Sequence, residues 1–173
     1  MILDINNIQL TVARSVLNLR VRDLGILLHV SKTVITKHEN NQISFKKFLT
    51  KKNRREVLTN FFLEKNISFP NNHSIQLISS LELPEFNDHH SDLLTRFQLK
   101  AARIITQQTQ ESLARSLGIT RWVITSAEQL NNQEFLNSND AALSKDLKFQ
   151  LEERGVSFID PFCISFKKTI ANG

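Results

Sequence analysis

Residues 109–129 read TQESLARSLGITRWVITSAEQ, and this stretch contains the spacing that decides the fold. Thr109 is a residue type that caps helices, and Leu113 and Ala114 follow it at the spacing of an inner helix face. Gly118 can adopt a positive φ and end this helix. Thr120 then caps another helix, whose inward positions are Val123, Ile124 and Ala127. The stretch therefore predicts two short helices joined by a turn that contains glycine.

The sequence on either side predicts the rest of one small domain. Leu99, Ala102 and Ile105 recur at helical spacing before the stretch, and residues 141–154 after it fit a helix that Gly155 ends. Residues 156–168, VSFIDPFCISFKK, have the composition of two short strands around Asp160-Pro161. We therefore expect four helices followed by a β-hairpin.

The same pattern occurs earlier in the chain at a constant offset of 89 residues. Residues 8–40, IQLTVARSVLNLRVRDLGILLHVSKTVITKHEN, align without a gap with residues 97–129, FQLKAARIITQQTQESLARSLGITRWVITSAEQ, and ten of the 33 pairs are identical. The offset continues into the predicted hairpins, where it pairs Ser68-Phe69 with Ser157-Phe158. Because one ungapped register extends over about 70 residues, we interpret the chain as two degenerate copies of one domain.

This duplication predicts the domain boundaries. We expect an N-terminal domain at residues 1–78, a linker at residues 79–93 and a C-terminal domain at residues 94–173. The linker contains Pro84, several acids and two histidines, which interrupt the apolar periodicity.

The pattern resembles the Cro/repressor-type (Xre) helix-turn-helix family. The resemblance rests on Thr109, Gln110, Glu111, Leu113, Ala114, Gly118, Ile119, Thr120, Val123, Ile124 and Glu128. It implies a mainly α fold of two duplicated lambda-repressor-like helix-turn-helix domains, each ending in a short β-hairpin. It also implies double-stranded DNA as the partner, with the third helix of each domain in the major groove.

The resemblance implies a set of DNA-contacting residues in each copy. In the second copy they are Gln110, Thr120, Arg121, Trp122, Thr125 and Ser126. In the first copy the outward residues of the corresponding helix are Ser31, Lys32, Thr33, Thr36 and Lys37. The first copy departs from the pattern, since Val21 replaces the glutamine and His29 the turn glycine, although Gly25 keeps the small position.

The ion pairs of the family are also expected here. Arg14 and Glu39 are 25 residues apart, and so are Arg103 and Glu128. They resemble the pair that links the first and third helices in this family, and we expect both pairs to form.

Positive charge is concentrated in the first copy. The chain has a formal net charge of +5, residues 1–88 account for +4 of it, and residues 14–55 alone carry +9. Such a run is by default a solvated surface, but beside a helix-turn-helix it favours contact with phosphates. The further candidate DNA-binding residues are Arg22, Lys46, Lys47, Lys51, Lys52, Arg54 and Arg55. We therefore expect the first copy to supply most of the affinity for the DNA backbone.

Other classes of protein have little support in the sequence. Phosphate-binding glycine loops and nucleophile or metalloprotease motifs are absent, so we expect a protein that is not an enzyme and has no cofactor. The residues His73, Asp88, His89, His90 and Cys163 lack zinc-finger spacing, so we expect no metal. The single cysteine excludes an intramolecular disulfide and, with no export signal and no apolar run long enough for a membrane span, favours a cytoplasmic, nucleoid-associated protein.

Two functions remain open. The first is a sequence-specific transcriptional regulator of bacterial or phage type. The second is a protein-interaction or dimerisation module that keeps the helix-turn-helix fold without binding DNA in one or both copies. We expect a homodimer or an intramolecular pseudo-dimer, and Trp122, predicted to be exposed, would contact either DNA or a second subunit.

Overall fold

A computed structural model describes residues 5–42, 44–50, 53–78, 93–136 and 141–167. The protein is mainly helical with a small antiparallel sheet. It divides into two compact units, which we call unit 1 (Met1–Gln76) and unit 2 (Leu77–Gly173). Residues 79–92 of the predicted linker, together with Lys51 and Lys52, lie outside the described residues.

Unit 1 has five described helices that lead into a pair of strands, the second of which ends one residue past the unit boundary. The helices are α1 (Asn7–Val16), α2 (Val21–Leu27), α3 (Lys32–Glu39), α4 (Phe45–Leu49) and α5 (Arg54–Glu64). The strands are β1 (Ile67–Ser68) and β2 (Ser74–Leu77), which are neighbours in the sheet. Helix α3 packs against both α1 and α2, so that it is held from two sides.

Unit 2 has four described helices and a hairpin. The helices are α6 (Arg96–Ile105), α7 (Gln110–Ser116), α8 (Arg121–Ala127) and α9 (Ala141–Glu152). Strands β3 (Val156–Asp160) and β4 (Cys163–Phe166) pair antiparallel, with Val156 opposite Phe166 and a register shift between Phe158 and Asp160. The helix predicted at residues 141–154 and the hairpin around Asp160-Pro161 are therefore present.

The elements of the two units follow the sequence offset. Helices α6 and α7 begin and end 89 residues after α1 and α2, and β4 begins and ends 89 residues after β2. The buried cores agree as well. Fully or almost fully buried pairs at this offset are Leu10 and Leu99, Ala13 and Ala102, Leu24 and Leu113, Ile35 and Ile124, Leu58 and Leu147, and Ile75 and Ile164.

Helix α4 is a difference from the sequence-based expectation of four helices in each copy. Five residues are too few to form a stable helix in isolation, so α4 depends on tertiary packing. Its Phe48 and Leu49 are buried, and the Phe48 ring lies against the ring of His38 from α3, with 4.1 Å between the centroids. In unit 2 the sequence at the same offset has Asn137 and Ser138, which lack these apolar side chains.

A glutamine near the start of the first helix connects that helix to the hairpin in each unit. The Gln9 side-chain amide donates to the carbonyl oxygens of Asn71 (2.7 Å) and Ser74 (2.9 Å). The Gln98 amide donates to the carbonyl oxygen of Asp160 at 2.8 Å, and Asp160 lies 89 residues after Asn71. Both glutamines also complete the capping box of their own helix. These buried bonds fix the hairpin relative to the helices.

The turn between the second and third helices is built differently in the two units. Gly118 ends α7 with a φ of +65°, as predicted, while His29 holds the equivalent left-handed conformation at +52°. Unit 1 has little space beside Gly25 of α2, since a Cβ atom added there would lie 2.8 Å from the carbonyl oxygen of Val30. The offset places Ala114 at this position in unit 2, so the methyl group is tolerated there.

This close approach predicts the sign of a stability change. Gly25→Ala removes a helical glycine, which by propensity alone would stabilise by about 0.8 to 1 kcal/mol. The clash with a backbone oxygen is expected to outweigh that gain and leave a net loss of about 1 to 2 kcal/mol, measured by urea unfolding followed by circular dichroism. The reciprocal Ala114→Gly variant measures the propensity effect at the matching position. Stabilisation by Gly25→Ala would contradict the close approach.

Candidate nucleic-acid interface

Each unit holds its third helix by an ion pair to its first helix, as predicted. Arg14 donates from Nε and Nη2 to the two carboxylate oxygens of Glu39, at 2.6 and 3.1 Å. Arg103 does the same to Glu128 at 2.5 and 2.8 Å. These bidentate bonds fix the orientation of the carboxylate as well as its distance, so they orient α3 and α8.

The same arginines also bind the loop after their own helix. Nη1 of Arg14 donates to the carbonyl oxygen of Leu19 at 2.9 Å, and Nη1 of Arg103 donates to that of Gln108 at 2.8 Å. Each guanidinium thus connects the first helix, the loop before the second helix and the end of the third. The expected ion pairs are confirmed, and their arrangement is the same in both units.

Helix α3 presents a polar outer face. Ile35 is fully buried, whereas Lys32, Thr33, Thr36 and Lys37 are exposed. Ser31 precedes the helix and is exposed, with no capping bond from its side chain. The four outward residues of α3 are therefore accessible on a helix whose inner face is fixed.

Helix α8 presents a different outer face. Thr120 and Arg121 are exposed, and Trp122 is 74% exposed, as predicted, whereas Thr125 and Ser126 are half-buried. An indole with three quarters of its surface in water is unusual for a large apolar side chain. Helix α8 therefore carries one aromatic group and one cation where α3 carries two lysines.

Gln110 connects the candidate residues of unit 2. Its amide nitrogen donates to the Glu128 carboxylate at 3.0 Å, and its amide oxygen accepts from Thr125 Oγ1 at 3.2 Å and from Arg121 at 3.5 Å. This network needs a side chain that both donates and accepts, which Val21 at the matching position of unit 1 cannot do. The outer face of α8 is thus ordered by contacts that α3 lacks.

The basic residues of unit 1 fall into two groups. Arg22, Lys46 and Lys47 are exposed. Arg54 and Arg55 are half-buried, and the Arg54 guanidinium carbon lies 4.5 Å from the centroid of the Phe48 ring. Arg54 Nε is buried and has no hydrogen-bond partner among the described residues. Arg54 therefore packs α5 against α4, and the exposed lysines of α4 are the better candidates for phosphate contact.

Unit 2 contains a buried arginine whose burial and contacts are not predicted by any pattern in the sequence. Arg96 is almost fully buried at the start of α6, donates from Nε to the carbonyl oxygen of Glu128 at 3.0 Å, and also binds the side chain of Asn132. Burial lowers the pKa of its guanidinium, and the Glu128 carboxylate acts in the opposite direction. Asn7, at the matching position, donates to the Glu39 carbonyl oxygen at 3.5 Å. The side chain at this position, Asn7 in unit 1 and Arg96 in unit 2, therefore contacts the end of the third helix in both units.

The single cysteine, Cys163, is buried at the start of β4. Burial is the larger cause that raises the pKa of the Cys163 thiol, and the nearby Asp160 carboxylate raises this pKa further. The thiol therefore stays protonated. Within the described ranges, no group of three or more histidine, cysteine or acidic side chains could hold a metal ion. Asp88, His89 and His90 lie outside those ranges. No described helix has the length and apolarity needed to cross a membrane.

Comparison of the chain with protein-family models, curated proteins and solved structures found no match.

Proposed function

We propose that this protein is a sequence-specific, double-stranded DNA-binding transcriptional regulator of bacterial or phage type, built from two copies of one helix-turn-helix domain. The main support for the proposal is the arrangement of helix α3. Its inner face is fixed by Ile35 and the Arg14–Glu39 pair, while Lys32, Thr33, Thr36 and Lys37 are free to meet base edges. A rigid helix with an exposed polar face is what readout of the major groove requires.

The duplication is supported by contacts as well as by sequence. The ion pairs, the arginine bonds to the following loop and the glutamine bonds to the hairpin all recur at the offset of 89 residues. Contacts between distant residues recur in this way when two segments adopt one fold. We therefore assign α2 and α3, and likewise α7 and α8, as helix-turn-helix pairs.

In the proposed complex with DNA, the basic residues of unit 1 contact the phosphate backbone. Helix α4 packs on the end of α3 through the contact of Phe48 with His38, so its exposed Lys46 and Lys47 stand next to the proposed recognition helix. Lysines beside a recognition helix neutralise phosphates and position the helix without reading sequence. Unit 1 therefore leads binding, and unit 2 assists it.

One observation favours a second function for unit 2. Trp122 is exposed in a unit that is nearly neutral, with residues 89–173 carrying ten basic and nine acidic residues. An exposed indole is a common anchor of protein interfaces. The alternative is that α8 binds a second subunit and only α3 binds DNA.

Selection of bound duplexes from a random pool at low salt tests both functions. The double variant Lys32→Ala/Lys37→Ala is expected to prefer a different sequence, because each good base contact contributes about 1 to 3 kcal/mol of discrimination. Lys65→Ala is the control, since Lys65 is exposed at the end of α5, away from α3 in sequence. Failure of the wild-type protein to bind any duplex, or an unchanged preference in the double variant, would contradict the regulator function.

The same selection with Arg121→Ala and Trp122→Ala decides the role of unit 2. Altered preference in part of the site supports DNA contact by α8. Unchanged DNA binding together with loss of an oligomer, seen by analytical ultracentrifugation, supports the interaction function instead.

A further inference from the structure

An apolar cavity of about 300 Å³ lies in unit 2 between α8 and α9. Its walls include Trp122 and Ala127 from α8 and Leu143 and Leu147 from α9. The described residues that line it include no charged side chain, and their only hydroxyl groups belong to serines. Its volume is at the lower end of the range for small-molecule sites, and a charged ligand would lose its hydration there without a partner.

The matching region of unit 1 indicates which kind of ligand fits the cavity. The offset of 89 residues relates Ala127 to His38 and Leu143 to Arg54. In unit 1 the ring of Phe48 contacts both of those residues, with its centroid 4.1 Å from the His38 ring centroid and 4.5 Å from the Arg54 guanidinium carbon. In unit 1 an aromatic ring of the chain itself therefore occupies the place that the described residues of unit 2 leave as a cavity.

We propose that the cavity between α8 and α9 is a binding site for a small, uncharged aromatic molecule. The ring of the ligand takes the place that Phe48 has in unit 1, and it packs against Leu143, Leu147 and the indole of Trp122. A polar substituent on the ring reaches the half-buried Ser126, because the other hydroxyl of the wall, that of Ser144, is fully buried and accepts from the Leu94 backbone N–H. Binding requires no DNA, so it stands apart from the proposed function.

The site has a consequence for α8 if the proposed function also holds. Five of the lining residues belong to α8 and Leu130 follows this helix, so a bound ring contacts α8 directly. The ligand would then alter the contribution of α8 to DNA binding while leaving that of α3 unchanged.

Benzyl alcohol is a suitable probe because it is neutral, aromatic and soluble. Trp122 is the only tryptophan, so its indole N–H gives a single, assigned signal in a ¹H–¹⁵N correlation spectrum. We expect a saturable shift of this signal with a Kd of about 1 mM or below. Cyclohexylmethanol is expected to bind about 3-fold to 10-fold more weakly, and benzoate more than about 30-fold more weakly.

Two variants at Ala127 fill the cavity. Ala127→His introduces the residue type that unit 1 has at this position, and Ala127→Phe introduces a larger ring; each is expected to abolish binding without unfolding the protein. Phe149→Ala is the matched control, because Phe149 is an exposed aromatic residue of α9 outside the cavity wall. It is expected to bind the probe like the wild type.

Three results would overturn the proposal. They are the absence of a saturable shift in the wild-type protein, unchanged binding in a folded Ala127 variant, and equal affinity for cyclohexylmethanol. A concentration-dependent shift of the Trp122 signal without the probe, accompanied by self-association in ultracentrifugation, would overturn it too, because the cavity would then be covered by a second copy of the chain. Loss of DNA binding alone would leave the site intact and contradict only the proposed function.

Discussion

Glu128→Ala is expected to destabilise the protein by about 3 to 5 kcal/mol, because it leaves the Arg103 guanidinium buried without a counter-charge. The Glu128 side chain is only 3% exposed and accepts hydrogen bonds from Arg103 and Gln110. Both donors lose their acceptor in the variant. The measurement is urea unfolding followed by circular dichroism, with the transitions of the two units fitted separately where they are resolved.

Two matched variants show whether burial is the cause. Glu39→Ala removes the same partner in unit 1, where the glutamate is 8% exposed and has no glutamine donor, and it is expected to cost less than Glu128→Ala. Glu111→Ala breaks the surface pair with Arg115, in which the glutamate is 57% exposed, and is expected to cost about 0 to 1 kcal/mol. Equal losses in all three variants would show that desolvation of the charge is not responsible.

The affinity for duplex DNA is expected to fall by roughly 10³-fold to 10⁵-fold between about 50 and 200 mM salt, if 6 to 10 phosphates are neutralised. Lys46→Gln/Lys47→Gln removes two exposed cations of α4 and is expected to reduce the slope of log K against log salt by about 1.8. The variant should weaken binding to all sequences alike, since phosphate contacts carry no base information. Fluorescence anisotropy of a labelled duplex measures the slope.

The control for this experiment makes the same change in net charge at a different location. Lys65→Gln/Lys145→Gln also removes two exposed cations, one at the end of α5 and one on α9. It should leave the slope almost unchanged. An equal reduction by both double variants would indicate that net charge, rather than a cluster beside α3, governs binding. The variant Lys51→Gln/Lys52→Gln extends the comparison to the rest of the basic segment.

The candidate interface was predictable in part. The exposure of Trp122 and of the outer residues of α3 followed from helical periodicity, because burying Ile35 and Ile124 turns those positions outward. Helical periodicity did not predict the packing role of Arg54 or the hydrogen-bond network of Gln110. Each depends on contact with a residue of another helix, which sequence spacing does not reveal. A basic run predicts positive charge in a segment, but only packing decides which cations remain free.

Local patterns and fixed spacings in the sequence encode the offset of 89 residues, the helix that begins at Ala141 and the turn at Gly118, because helix geometry sets the positions of residues along each element. The pairing of Arg103 with Glu128 was expected from the family resemblance. Tertiary packing alone accounts for the short helix α4, the contact of Gly25 with Val30, the anchoring of the hairpins by Gln9 and Gln98, and the cavity of unit 2. The hairpin anchors and the cavity involve elements that are distant in sequence, whereas the contact of Gly25 with Val30 depends on how tightly the chain turns between two helices. One aromatic side chain on α4 fills a space that the described residues of the second unit leave as a cavity, and local periodicity contains no information about such a space.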